Sequence, residues 1–129
     1  MNYLEEEIDE VLITLGIEGR KLNSSQISSL ITSLIERFFR TKQKTLDPNY
    51  LNVKTEQHNP NFWKEIQDLI HSDRLILIVF DSAHRAWEIG SAKSLALILS
   101  ETTGYPFWIT DRDLTFLVHM DDHDCISWA

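Results

Sequence analysis

Apolar side chains recur every three or four residues at the start of the chain, where Tyr3, Leu4, Ile8, Val11, Leu12 and Leu15 are separated by Glu5, Glu6, Glu7, Asp9 and Glu10. That spacing gathers the apolar positions on one stripe of a 3.6-residue turn and predicts a helix with an acidic outer face. Gly16 and Gly19 interrupt the pattern, and Asn23, Ser24 and Ser25 offer N-caps to a second helix over residues 25 to 40. Its stripe is Ile27, Leu30, Ile31, Leu34, Ile35, Phe38 and Phe39. Residues 41 to 60 keep no period and contain Pro48 and Pro60, which predicts a long connection. Asn59 and Pro60 then suit the cap and first position of a short third helix carrying Phe62, Trp63, Ile66, Leu69 and Ile70.

The period changes at Arg74. RLILIVFD, residues 74 to 81, is a continuous β-branched and aromatic run, as expected of a central strand covered on both faces. AWEIGSAKSLALILSETTG follows with helical spacing at Ala92, Leu95, Ala96 and Leu99 and a stop at Gly104. Residues 105 to 110 form a second strand, and the strand, helix, strand order implies a right-handed crossover between parallel strands. The short links DRDL and DDHD lead by hairpins into strands at residues 115 to 120 and 125 to 128. The expected fold is one α+β domain over residues 1 to 129. N-terminal helices and one strand-helix-strand crossover would pack on a mixed, mainly antiparallel sheet of about four strands.

Composition narrows the class. The chain has 129 residues, enough for one core, and its 43% apolar and 25% charged content is that of a folded chain rather than a disordered one. The longest apolar run, residues 75 to 80, is too short for a bilayer, and the acidic start MNYLEEEIDE lacks the basic character of a secretory signal. A cytoplasmic location without membrane contact is expected. Cys125 is the only cysteine, which excludes an intrachain disulfide and a cysteine-based zinc cluster.

The net charge of −8 is unevenly distributed: residues 1 to 19 carry six acids and no base, residues 20 to 64 eight bases against three acids, and residues 65 to 129 eleven acids against four bases. An excess of this sign repels phosphate backbones and anionic lipid. Nucleic-acid binding would rest on Arg37, Arg40, Lys42 and Lys44, which read better as solvated bases at a helix's negative end.

Several enzyme patterns can be weighed. WITDRDLT resembles the D-x-D-x-T motif of haloacid-dehalogenase-type phosphotransferases, which would make Asp111 a nucleophile and Asp113 an acid-base group, with Thr115 as the motif's threonine. That resemblance requires a downstream lysine and further acids for magnesium, and none of the eighteen residues after Asp111 is a lysine. It is set aside as strand-end composition. His119, Asp121 and His123, beside Asp122 and Asp124, have the donor types of a divalent-metal site, and a small metal-dependent hydrolase is the alternative reading. His119 and Asp121 share a strand face, but His123 joins them only if the turn folds back. The simpler reading is an acidic turn with no cofactor, because Asp bonds its own backbone there. Cys125 reads as a small strand residue.

Asp81 and Asp111 end two strands expected to be parallel, the edge where open α/β sheets place ligands, but no glycine-rich phosphate loop follows either. The tryptophans read as core anchors, and those near the acids as interface anchors. Asp111, Asp113, Asp121, Asp122 and Asp124, with Trp108 or Trp128, are therefore the candidate surface for a basic protein partner, since opposite charge steers association. If both hairpins form, the two acidic turns fall at opposite strand ends unless the strands are short or bent.

Size, acidity and the α+β layout, with GYPFWITD leading to TFLVHMDDHDCISWA across residues 74 to 129, resemble the small cytosolic immunity proteins that bacteria make against polymorphic or contact-dependent toxins. The resemblance implies a non-catalytic inhibitor that covers the basic active site of one toxin, often a nuclease. A third alternative is a structural or regulatory subunit, a homodimer in which the stripe of residues 27 to 39 buries against a second copy.

Overall fold

The computed structural model describes residues 3–102 and 104–129. Helix α1 (Tyr3–Leu15) presents Ile8 and Leu12 inward. Helix α2 (Ser24–Phe38) starts with a capping box: Gln26 N donates to Asn23 Oδ1 at 2.8 Å and Asn23 N donates to Gln26 Oε1 at 2.9 Å. Helix α3 (Phe62–Leu69) and helix α4 (Ala92–Glu101) follow, the latter capped by Ser91. Among the described residues no helix is long and apolar enough to cross a membrane.

Among the described residues seven strands form one sheet: β1 (Gly19–Lys21), β2 (Thr55–His58), β3 (Leu75–Asp81), β4 (Ala83–Ile89), β5 (Phe107–Asp111), β6 (Leu117–Met120) and β7 (Cys125–Trp128). Their spatial order is β1-β4-β3-β5-β6-β7-β2, with every pairing antiparallel. Strand β3 is covered on both faces. Leu75, Leu77 and Val79 join the core shared with α1, α3 and α4, while Ile76 and Ile78 join the core under α2. The α2 stripe is used there too: Ile31, Leu34, Ile35 and Phe38 are buried in the same cluster as Ile76, Ile78 and Trp108. These four are therefore not presented to a second copy.

The α+β class agrees with the hydrophobic pattern, but the sheet departs from it in strand number and direction. Seven strands replace about four, because residues 83 to 89 form a strand instead of leading into a helix and the short edge strands β1 and β2 form in segments read as connections. Ser82 adopts a left-handed φ of 63°, so the chain reverses at once and pairs Asp81 with Ala83. Beyond it, Ala86 and Glu88 alternate with Trp87 and Ile89 between the two faces, a period of two that the charged residues between them obscure. With β4 inserted, the chain leaves α4 on a course that makes β5 antiparallel to β3, so the parallel crossover does not exist.

Asp81 and Asp111 consequently lie at opposite ends of β3, since Leu75 pairs with Asp111 and Asp81 with Ala83. Asp81 accepts hydrogen bonds from the backbone N–H groups of Leu4 and Glu5 at 3.0 and 3.1 Å. It caps α1 rather than the next helix. Trp87, fully buried, donates its indole N–H to Asp9 at 2.8 Å and ties the same helix to β4.

Strands β1 and β2 are both edge strands with exposed side chains. Gly19 lets the β1 edge pack closely on the core, since a Cβ there would meet the ends of the Ile89 and Leu12 side chains at 3.2 Å and displace them slightly. The connection expected over residues 41 to 60 contains β2 and a 3-10 turn at Pro48–Tyr50.

Two substitutions test these dependences. Leu77→Ala removes a fully buried side chain and is expected to cost about 3 kcal/mol of unfolding free energy. Asp81→Ala, which removes only the α1 cap, should cost about 1 kcal/mol. Urea unfolding followed by tryptophan fluorescence measures both, and a larger loss for Asp81→Ala would contradict the ranking.

Candidate functional site

The five candidate acids divide between two places. Asp111 and Asp113 occupy the β5–β6 turn, and Asp121, Asp122 and Asp124 the β6–β7 turn, at the other end of the four-residue strand β6. At about 3.4 Å per residue that separates the two turns by more than 10 Å.

Asp111 faces inward. Its residue is 4% exposed, and its carboxylate accepts from the Ser72 hydroxyl at 2.8 Å, the Thr115 N–H at 2.8 Å and the Thr115 hydroxyl. Burial opposes its ionisation, but the Thr115 and Ser72 hydrogen bonds outweigh that and hold the carboxyl below its ordinary value. Asp111 thus pins a turn in which Leu114 adopts a left-handed φ of 54°, and only Asp113 of this pair is exposed. Trp108 is likewise interior: it is 5% exposed, with ring centroids 4.3 Å from His119 and 5.9 Å from Phe39. Trp128 is half-buried and meets Phe62 edge-on at 5.9 Å and Phe116 at 5.8 Å.

The second turn is organised differently. Asp121 Oδ1 accepts from the backbone N–H groups of His123 at 2.8 Å and Cys125 at 2.9 Å, the self-bonded turn that Asp favours. Burial opposes its charge, yet those bonds lower its pKa. Asp124 takes a left-handed φ of 64°, and its carbonyl accepts from Asn59 N–H at 2.9 Å, which joins the turn to the start of α3.

These contacts bring Asp121, Asp122 and Asp124 to the rim of a pocket of about 190 Å³ walled by Pro60, Trp63, Tyr105, Phe107 and Met120. The Tyr105 hydroxyl shares a 2.6 Å hydrogen bond with Thr102, and burial, with a smaller push from Glu7, raises its pKa to about 12. The wall therefore stays uncharged. Lys64 places its ammonium 5.2 Å from the Trp63 ring centroid at the same end of the molecule. The walls were hidden in the sequence because they come from α3 and Pro60 just before it, from the residue-105 turn, and from β5 and β6. Trp63 carried the one local signal, an aromatic beside the α3 cap.

The metal-ligand grouping of His119, Asp121 and His123 is not assembled. Among the described residues no group of three or more His, Cys, Asp or Glu side chains is arranged to hold a metal ion. His119 is 6% exposed and lies against Trp108, whereas His123 is exposed and 3.7 Å from Asp122. Burial raises the Cys125 thiol pKa, with smaller contributions from Asp121, Glu56 and Asp124, the opposite of an activated nucleophile.

A second charged constellation was not visible in the sequence. Arg20, Arg74 and Arg112 converge on Glu88, while Arg37, Arg40, Lys42 and Lys44 are separate from it. Each arginine is isolated in sequence, and only the antiparallel register brings β1, β4 and the ends of β3 and β5 together.

No model of a known protein family, no curated protein and no solved structure matches the chain.

His119 gives this region a pH dependence. Burial lowers its pKa from 6.5 to about 4, although Asp121 pulls the other way. Between those values the unfolded chain binds more protons, so the stability His119 contributes is present above pH 6.5 and is lost as pH falls toward about 4. Unfolding free energy should decline across that window, and His119→Gln should reduce the slope by up to about one proton. An unchanged slope would show that the imidazole is not held neutral.

Proposed function

We propose that the chain is a non-catalytic, acidic protein-binding module of the immunity type, which neutralises a basic toxin, of the nuclease kind, by covering its active site. The observation that supports this reading is the pocket at the β6–β7 turn, where an apolar, aromatic wall stands behind Asp121, Asp122 and Asp124. A lysine or arginine entering there would meet carboxylates at its charged head and aromatic surface along its stem. An anchor residue of this kind concentrates binding energy in a small desolvated area, while the surrounding acids accelerate encounter.

Asp121 supplies the rigid part, since its backbone bonds fix the turn, and Asp122 is the exposed carboxylate, 3.7 Å from the His123 imidazole. Asp111, Asp113 and Trp108 are not part of this contact. Asp113 is at the far turn, and the other two are buried. Trp128 contributes from within by packing on Phe62, at the base of α3.

The test compares the chain with an Asp122→Asn, Asp124→Asn double variant, which spares the turn-forming Asp121. Both are used as bait in the native cell extract, and association with the retained protein is then followed by stopped flow. A basic partner is expected, with an association rate that falls as salt rises and drops about tenfold in the variant at low ionic strength. A partner that is not basic, or a rate indifferent to both salt and the substitutions, would overturn the reading.

A further inference from the structure

The groove around Glu88 lies at the opposite end of β5 from the acidic pocket, and nothing in the proposed partner contact uses it. Glu88 is 7% exposed, a burial that an unpaired carboxylate would not tolerate. It receives Arg20 Nη2 at 2.8 Å, Arg112 Nη2 at 3.2 Å and Arg74 Nη1 at 3.5 Å. Burial opposes its ionisation, but the Arg20 hydrogen bond and the charges of Arg112, Arg20 and Arg74 prevail and lower its pKa.

One carboxylate does not need three guanidiniums. Each arginine offers five N–H donors, and each gives Glu88 one nitrogen while more than half of its side chain stays exposed. All three arginines line a groove of about 490 Å³ with Glu18 as its other acid, and Arg74 and Arg112 also line a neighbouring hollow with Asp73, Asp111 and Asp113. The guanidiniums are exposed at their tips and fixed at a common buried point, an arrangement that lowers the ordering cost of gripping an anion.

The groove continues beneath α2 into a compartment of about 440 Å³ that shares Arg20, Glu88 and Arg112. There Ser25, Ser29 and Ser33 stand one helical turn apart above Ile76 and Leu114. Hydroxyls on one wall and apolar side chains on the floor suit the body of a small hydroxylated molecule. Both volumes fall in the roughly 300–1,000 Å³ span of small-molecule clefts.

Size selection follows from charge. A long polyanion would meet the chain's overall −8, whereas a small one is screened from acids beyond a Debye length of about 8–10 Å and meets a groove lined by three arginines against Glu18 and Glu88. We infer that Arg20, Arg74 and Arg112, positioned by Glu88, bind the phosphate group of a small phosphomonoester whose hydroxylated body lies along the groove under α2. A phosphate dianion suits three guanidinium forks in charge and in the geometry of its acceptor oxygens. Glu88 is a positioning residue in this site and makes no contact with the ligand.

Calorimetric titration of the full chain with ribose 5-phosphate, in chloride buffer at low ionic strength, tests this. Saturable binding is expected, with inorganic phosphate weaker and ribose silent. Arg112→Gln, which leaves Glu88 its 2.8 Å bond from Arg20, should weaken binding by about tenfold or more with the fold intact, and Arg20→Gln should weaken binding as much while also lowering the melting temperature, because it removes that bond. Lys42→Gln, which removes a positive charge elsewhere, should leave it unchanged. Glu88→Gln should weaken binding although it makes the groove more positive, and tighter binding would overturn the positioning role. Absence of binding, or an Arg20→Gln effect no larger than that of Lys42→Gln, would overturn the site. Inorganic phosphate binding as tightly as ribose 5-phosphate would overturn the role given to the groove under α2. Tighter binding of a single-stranded decanucleotide would overturn the assignment to a small ligand.

Discussion

Five consecutive residues of β3, Leu75 to Val79, are buried, and the rest of the architecture follows from the need to cover both of their faces. A strand apolar on one side only can leave its other side to water. This one cannot, because Ile76 and Ile78 alternate with Leu75, Leu77 and Val79. One face takes α1, α3 and α4, and the other takes α2 with Leu46 and Leu51 from the following connection. At about 25 cal/mol per Å² of apolar surface removed from water, neither layer can be dispensed with in a chain of this size.

Covering both faces raises a second demand at the strand ends, where polar groups enter the interior. Glu88, Asp111 and His119 are all buried, and each meets the cost of burial differently. Glu88 keeps its charge by gathering arginines, Asp111 keeps its charge by accepting three hydrogen bonds, and His119 gives up its proton. The charge segregation of the molecule is tied to these solutions. A basic groove forms at the end where Glu88 is neutralised, and an acidic pocket forms where the β6–β7 turn meets α3.

The helices were legible in the sequence because each carries a continuous stripe: α2 spans Ser24–Phe38 where residues 25 to 40 were expected. Strand β3 was legible for its unbroken apolar run. Strand β4 was not, since Arg85 and Glu88 break its alternation and a left-handed serine replaced the glycine usual in such a turn. That single omission produced the false parallel crossover and the false pairing of Asp81 with Asp111. The acids of the candidate site could be counted along the chain, but their division between two sheet ends depends on strand direction. The aromatic wall behind three of them depends on α3 reaching the β6–β7 turn. The arginine cluster left no trace because charges far apart in sequence carry no period.

Both outermost strands are short and polar. Gly19–Lys21 and Thr55–His58 expose every side chain, and Arg20, Lys21 and Glu56 put charge along those borders. An incoming peptide would find little length to zip against and a desolvation penalty at each step. Backbone-to-backbone annealing, whether with a ligand or with another molecule of its own kind, is thus disfavoured along both borders.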